Sequence, residues 1–408
     1  MKKIIITSTG TLGDYLPFLA LGKALQTRGH QVRMAFPKSV HPYVQKNGLT
    51  AITCGKNWGE QDARKNATDW EHLRDYAARQ AVNDRAIKII QTEYAIALQD
   101  LLEISADADL VICSSQREYL GQIISEVHDL PFASISLMPF LQCYTTVQNP
   151  EANLAYFAAF NDLRTQAQLS PLSPEAWFQW NQEHPQRAIL ASSSHFSQVL
   201  NHCRHYQQTG FWFYDDPDWQ DWQPDQELQQ FMTTEPKPLI LTFSSLPLVD
   251  AQSVLITHVQ AAAQLGRRLL VQQGWADFNA SLLPNDIDQS QVLFRGFMPQ
   301  DWLFSQAAAV IHHGGIGTTA RALRNDCPML VEPYGNDQFF NAKQVLALNV
   351  GTAMHPHRLT ANGLAQVLNT KVLTDECKQN TQQLGAKIRQ EQGLDKACDL
   401  VKSWLNPT

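Results

Sequence analysis

Short apolar runs alternate with amphipathic stretches along most of the chain. Residues 3–8, 31–36, 50–54, 110–114, 131–137 and 188–192 are apolar runs of strand length bounded by turn residues. Between them, residues 16–28 carry apolar positions at helical spacing, a short helix begins at Ser39, and a long helical region is expected from 69 to 102. Runs this short, alternating with helices, predict strands buried on both faces of a mostly parallel sheet. Residues 139–185 break the pattern. They are irregular and aromatic, holding Phe140, Tyr144, Tyr156, Phe157, Phe160, Trp177, Phe178 and Trp180.

The texture changes again at 211–224, which is rich in Asp, Gln, Pro and Trp, with Pro236 and Pro238 soon after. This predicts an inter-domain connection with a hinge at 233–237. A second alternating series follows. Strands are expected at 239–242, 268–272, 291–294, 308–311 and 328–331, a helix at 251–264, a helical turn at 301–305 and a helical tail from about 360. The expected domains are 1–232, 233–385 and a terminal helix, 386–408, crossing back to the first. Two Rossmann-like α/β sheets joined this way would face each other across a cleft, where ligands bind at strand carboxyl edges.

The chain has 408 residues, 44% hydrophobic and 17% charged, which fits two or three globular domains and argues against disorder. A formal charge of −7 argues against a nucleic-acid partner. No apolar run approaches the ~18 residues a membrane span needs. The start, Met1-Lys2-Lys3 with a short apolar run, has the look of a leader. Polar Thr7, Ser8 and Thr9 interrupt it, however, and the expectation is a first strand. Seven scattered cysteines, none in a Cys-x-x-Cys pair, predict reduced thiols in a cytoplasmic protein.

Candidate chemistry gathers at strand ends. His312-His313-Gly314-Gly315-Ile316-Gly317-Thr318-Thr319 follows one apolar run and opens a helix. A strand, a glycine turn and a helix N-terminus make an anion site, because the first backbone N–H groups are unpaired and glycine lets a phosphate approach them. The histidines can add hydrogen bonds. The alternative is a plain strand-to-helix turn. After the first strand, Gly10-Thr11-Leu12-Gly13-Asp14 puts a carboxylate near a helix start, as a general base or as a helix cap. Asp337 and Gln338 could grip sugar hydroxyls or cap a helix. Ser244 and Ser245 end a strand and could hold a phosphate. Trp275, after Gly274, could stack on a nucleobase or pack as an ordinary surface tryptophan.

Taken together these segments resemble the GT-B glycosyltransferases of the family that includes bacterial macrolide and glycopeptide glycosyltransferases, rhamnolipid rhamnosyltransferases and sterol glucosyltransferases. The likeness is carried by Gly10-x-x-Gly13-Asp14-x-x-Pro17, Arg28-Gly29-His30-x-Val32, Pro299-Gln300-Asp301-Trp302-Leu303-Phe304, the run 308–319 and Asp337-Gln338-Phe339. It is specific in the C-terminal half and at residues 1–35, and poor between about 55 and 235. The resemblance implies Asp14 as the base, and His312, His313, Gly314, Gly315, Gly317, Thr318, Ser244 and Ser245 around a diphosphate. It implies Trp275 and Met298 near the base of the nucleotide, Met298 on a strand edge, and Asp337 and Gln338 on the donor sugar. Two positions depart from the family pattern: Ser244 stands where glycine is common, and Gln300 where histidine is.

The implied reaction is an inverting, metal-independent transfer of a hexose from a UDP- or dTDP-sugar, UDP-glucose by default, to a hydroxyl. No cofactor is implied, and no Asp-x-Asp pair lies in a loop suited to a metal. The aromatic stretch suggests an apolar acceptor such as a lipid, sterol or polyketide, or else ordinary core packing. A lipid acceptor would bring it to a membrane surface, without a strongly basic amphipathic stretch to help. Two other functions remain open: a non-catalytic nucleotide-sugar-binding protein, and a nucleotide-sugar epimerase on the same fold.

Overall fold

The computed structural model describes residues 1–57, 59–65, 84, 87–139, 150–183, 187–199, 206–335 and 337–406, with the backbone alone for 65, 150–153, 178 and 180–183. It divides into two compact units. The first comprises Met1–Gly59, Leu73–Pro217 and Glu391–Thr408, and the second Glu60–His72 and Asp218–Gln390.

The first unit is built on a seven-stranded parallel sheet. Its strands are β1 (Lys3–Thr7), β2 (Gln31–Phe36), β3 (Thr50–Thr53), β4 (Leu110–Ser114), β5 (Phe132–Ser136), β6 (Ala188–Leu190) and β7 (Gln207–Gln208). They lie in the order β3-β2-β1-β4-β5-β6-β7. Ile4, Ile5 and Ile6 are fully buried, as a strand covered on both faces requires. The strand direction of growth reverses between β1 and β4, so the carboxyl end of β1 lies at the topological switch point, where open α/β sheets bind ligands.

Helix α1 (Leu12–Thr27) begins four residues earlier than its apolar periodicity suggests. The reason is a capping box: Thr11 is the N-cap and Asp14 reaches back to it. Of the long helix expected at 69–102, residues 66–83 and 85–86 lie outside the described residues. The described part is a π-helical turn, Ile90–Tyr94, and a helix, Ala95–Ile104.

The stretch expected to be irregular forms two helices, α2 (Pro150–Gln166) and α3 (Pro174–Glu183). Each starts with a proline, which breaks a helix interior but suits its first turn. Tyr156, Ala159, Phe160 and Leu163 make one buried stripe on α2, and Trp177 on α3 is 1% exposed. Tyr119 meets Phe160 with ring centroids 4.9 Å apart. For Tyr156, Phe160 and Trp177, core packing accounts for the aromatic character. Phe140 and Tyr144, and the side chains of Phe178 and Trp180, lie outside what is described.

The terminal helix, Gly393–Leu405, packs in the first unit. Asp395 pairs with Arg28 at the end of α1 at 2.6 Å, and Trp212 Nε1 donates to the Gly393 carbonyl at 3.2 Å. Ala397, Cys398, Val401 and Leu405 are buried.

The second unit has six parallel strands: β8 (Leu239–Thr242), β9 (Leu269–Gln272), β10 (Val292–Arg295), β11 (Ala309–His312), β12 (Met329–Val331) and β13 (Gly351–Ala353). Their order, β10-β9-β8-β11-β12-β13, is the Rossmann order, with the switch point between β8 and β11. Elements missed from sequence include the edge strands β7 and β13, two and three residues long, the helix Glu60–Lys65, and the helix Gln226–Thr233 in the supposed linker. That helix is capped by Asp225, whose side chain accepts from Leu228 N at 2.7 Å. The turn expected at 301–305 is a helix, Gln300–Gln306.

The five described cysteines, Cys54, Cys113, Cys327, Cys377 and Cys398, are free and buried. Cys143 and Cys203 lie outside the described residues. Among the described residues no helix is long and apolar enough to cross a membrane.

Candidate active site

Asp14 follows the carboxyl end of β1. One carboxylate oxygen, Oδ2, accepts from the Thr11 backbone N–H at 2.7 Å and from the Thr11 hydroxyl at 3.3 Å. Asp14 therefore serves the capping box at its third helical position rather than as the N-cap itself. That structural duty engages Oδ2. Gly10 makes room: its φ is +125°, and a Cβ there would lie 2.2 Å from Asp14 Oδ2. Burial pushes the Asp14 pKa up to about 6, against the two Thr11 hydrogen bonds that lower it. A carboxylate with that pKa is still ionised at pH 7 and is a far stronger base than a free aspartate. A second carboxyl in this unit, Glu118, is pushed up to about 7 by burial, though Ser134 and Tyr206 donate to it at 2.7 and 3.1 Å.

The other candidates share one edge of the second sheet. Ser244 and Ser245 follow β8, Trp275 follows β9, Met298 follows β10, the His312–Thr318 run spans the end of β11, and Asp337 and Gln338 follow β12. In parallel strands all of these are carboxyl ends. The structure thus brings every sequence-derived donor residue to one edge, with the histidine loop and the serines at the switch point.

Helix α4 (Ile316–Arg324) starts at Gly315 with no side-chain cap. The first backbone bond into the helix is from Thr319 N to Gly315 O at 3.0 Å. The N–H groups from Gly315 to Thr318 have no acceptor among the described residues. This is the donor array an anion needs. Gly314, at φ +92°, packs so closely that a Cβ would lie 2.6 Å from Val331 Cγ1. Asp301 anchors the helix from the side by pairing with Arg321 and accepting from Asn325 Nδ2 at 2.6 Å.

His312 is fully buried, and its Nδ1 accepts from Gly314 N–H at 3.1 Å. In the neutral ring the proton is then on Nε2, which has no partner. Burial, helped by neighbouring His313, lowers the His312 pKa to about 3, and burial lowers that of His313 to about 4. Both rings are therefore neutral at pH 7, each with a single N–H to give.

Register places Gln272, Thr242, His312 and Val331 in one row across β9, β8, β11 and β12, so their side chains share a face. Thr242 donates to Gln272 Oε1 at 2.8 Å. Buried atoms without a partner cluster along this edge: Gln272 Nε2, His312 Nε2, His313 Nδ1, Glu332 Oε2 and Asn341 Oδ1. Native interiors leave few polar groups unsatisfied, and a cluster of them marks a place built for a polar ligand or water.

Several expectations need refinement. Ser244 adopts φ +49°, the left-handed region glycine favours. The family's glycine preference at this position thus has a backbone cause. The Ser244 carbonyl accepts from Trp275 N–H at 2.9 Å, tying the β8 and β9 loops together. Met298 is buried in the loop beyond β10 rather than on the strand. The Gln338 side-chain oxygen accepts from Tyr334 N at 2.8 Å and Gly335 N at 3.1 Å, so only its NH2 group remains to meet a sugar. Asp337 is the N-cap of helix α5 (Gln338–Ala347), without a side-chain cap bond.

Sequence reading missed two features here. Asn341, fully buried on α5, bridges Gly314 O at 2.8 Å and Asp337 Oδ2 at 3.2 Å. His258 and Glu332 form a buried pair at 2.8 Å. Burial alone would lower the His258 pKa, but the Glu332 charge and hydrogen bond outweigh it and the net shift is upward. Both pairings join residues far apart in the chain or hidden in a helix interior, and no local motif announces them. Among the described residues there is no group of three or more His, Cys, Asp or Glu able to hold a metal ion.

Two parallel-sheet α/β units define the GT-B class of fold, and comparison with known proteins agrees. Residues 4–139 match the glycosyltransferase family 28 N-terminal domain, which includes Asp14. Residues 279–395 match the erythromycin biosynthesis protein CIII-like C-terminal domain, which includes His312 to Gln338. The chain is 27% identical to O-mycaminosyltylonolide 6-deoxyallosyltransferase of Streptomyces fradiae, over 98% of this chain and 97% of that protein. It is 25% identical to a sterol 3-beta-glucosyltransferase of Arabidopsis thaliana, covering 99% and 68%. A sterol 3-beta-glucosyltransferase of Pichia angusta is 23% identical, and the chain spans 33% of its length. Among solved structures, the calicheamicin glycosyltransferase CalG4 superposes with a TM-score of 0.78 at 15% identity, covering 100% and 99%. The glycosyltransferase VinC, solved with dTDP, gives 0.73 at 17%, covering 98% and 99%. The chain is a glycosyltransferase of GT-B fold, and in enzyme class a hexosyltransferase.

Proposed function

We propose that this enzyme moves a hexose from a UDP- or dTDP-sugar, with UDP-glucose as the default, to a hydroxyl of a small apolar acceptor of the sterol, lipid or macrolide kind. Transfer inverts the anomeric centre and needs no metal. The observation that carries the donor reading is the cluster of unsatisfied polar atoms at one sheet edge, beside the four unpaired N–H groups from Gly315 to Thr318. The acceptor class rests on the named activities of the sequence relatives.

In the proposed reaction, Asp14 accepts the proton of the acceptor hydroxyl as its oxygen forms a bond to the sugar C1. The bond from C1 to the β-phosphate oxygen breaks, and the nucleoside diphosphate leaves with the electron pair. Charge then grows on the diphosphate, where the helix N-terminus and the neutral His312 Nε2–H would stabilise it. Ser244 and Ser245 would add phosphate contacts, Trp275 and Met298 would border the nucleobase, and Asp337 with the Gln338 NH2 group would meet sugar hydroxyls. A direct backside displacement inverts configuration because no enzyme-bound sugar intervenes.

The test is transfer from UDP-glucose and a dTDP-hexose to a panel of sterols and macrolide aglycones, with and without EDTA, with the product anomer read by NMR. A product of inverted configuration, unaffected by EDTA, is expected. Retention, or loss of activity in EDTA restored by a divalent cation, would refute the mechanism.

A further inference from the structure

We infer that Asn341 is a positioning residue that couples recognition of the donor's phosphates to recognition of its sugar; this rests on the reading of the second unit's edge as the donor site. The Asn341 amide stands between the two recognition loops. Its Nδ2 donates to the Gly314 carbonyl at 2.8 Å and to Asp337 Oδ2 at 3.2 Å. One NH2 group thereby holds the turn of the phosphate loop and the carboxylate assigned to the sugar.

The direction of each bond matters. A trans peptide puts its C=O and N–H on opposite sides. Holding the Gly314 carbonyl toward Asn341 aims the Gly315 N–H the other way, as the first of the unpaired N–H groups before and within α4. Gly314 is also pressed against the start of α5, where a Cβ would lie 3.3 Å from the Gln338 carbonyl. On the other side, fixing Asp337 by one oxygen sets the orientation of its carboxylate. A shift in either loop is transmitted to the other through a single buried group.

Fold stability alone is a poor reason for this residue. Asparagine is a weak helix former. Asn341 is fully buried in α5, and its Oδ1 has no partner. An apolar residue there would remove that atom, but it would also take the donor from the buried Gly314 carbonyl. Both amide hydrogens, in contrast, are spent on functional loops. A buried polar group that leaves one of its own atoms unsatisfied while serving two site elements is a positioning device.

The test is a double-mutant cycle between Asn341 and Asp337, read by calorimetry with UDP and with UDP-glucose on the full chain, or with the dTDP pair if wild type prefers it. In wild type, Asp337→Ala should weaken UDP-glucose about tenfold or more and leave UDP unchanged, as loss of a charged hydrogen bond to sugar predicts. In an Asn341→Ala background the same substitution should cost less than about threefold, because Asp337 is already misplaced. Asn341→Ala alone should weaken UDP as well, through the Gly314 turn. Asn341→Ser, which keeps a small polar side chain, serves if the alanine variant does not fold. Equal losses in both backgrounds, or unchanged affinities in the Asn341 variants, overturn the coupling while leaving the donor site intact. Failure of wild type to bind any nucleoside diphosphate overturns the donor reading, and the coupling with it.

Discussion

Replacing Asp14 by asparagine should abolish transfer and at the same time stabilise the first unit at neutral and alkaline pH. Burial raises the Asp14 pKa from 3.8 to about 6. Each unit is worth about 1.4 kcal/mol, so ionisation of the folded form is disfavoured by about 3 kcal/mol relative to the unfolded chain. Between these two pKa values the folded state binds more protons than the unfolded state. Stability therefore falls as pH rises from about 3.8 through about 6, and is level above about 7. Asparagine never ionises and escapes this loss. It keeps an oxygen for Thr11 N–H but gives up the charge that strengthens that bond, a cost of about 1 kcal/mol. Asp14 is only half-buried, which trims the gain further. The expected net effect is about 1–2 kcal/mol of added stability at pH 8, and none below pH 4. Urea denaturation at pH 4 and pH 8 measures it, read on whichever transition the substitution moves, since two units need not unfold together. His312 and His313 pull the pH dependence the opposite way, but they are unchanged in the variant and cancel in the comparison. Transfer should fall by about 10²–10⁴, the usual contribution of a general base. In wild type, kcat/KM should drop about tenfold from pH 7 to pH 5 as Asp14 protonates. A variant less stable than wild type at pH 8, or one that retains full activity, would refute the reading of Asp14 as a destabilised catalytic base.

Other outcomes follow from the same geometry. Gly10→Ala would place a Cβ 2.2 Å from Asp14 Oδ2; kinetics should show at least a tenfold loss of transfer, while calorimetry shows UDP affinity unchanged. Because His312 and His313 are neutral from about pH 5 upward, the UDP-glucose dissociation constant should be nearly flat from pH 6 to pH 8; a steep weakening across that range would mean that imidazolium charge drives binding. Ser244→Gly relieves a positive φ of 49° and should raise the unfolding free energy by about 0.5–1 kcal/mol, measured by denaturant titration. Deleting residues 395–408 removes the Arg28 ion pair and the buried Val401 and Leu405, and should unfold the first unit as followed by circular dichroism and proteolysis.

Where the chain announces its structure, it does so through strand ends. The alternation of short apolar runs with helices foreshadows both parallel sheets, and the His312–Thr319 run announces a strand, a turn and an uncapped helix. Its candidate partners prove to share one edge because every strand of the second sheet is parallel. The helices α2 and α3 were legible but passed over. Tyr156, Ala159, Phe160 and Leu163 recur at helical spacing, and Pro150 and Pro174 are the first residues of their helices. Asp14 posed a choice between base and cap that its residue type could not resolve; the structure shows the capping contact through Oδ2, and the role of base is the one proposed for it. Asn341 and the His258–Glu332 pair were not legible at all. Their meaning lies in contacts between elements that only the folded chain brings together.

The central question is whether the edge built from His312 to Gln338 takes a nucleoside diphosphate. Calorimetry of the full chain with UDP, dTDP, GDP and ADP, with and without EDTA, addresses that directly. Binding of UDP or dTDP, unaltered by EDTA and lost in His312→Ala, is expected. Absence of binding by all four, or binding that survives that substitution undiminished, would contradict it.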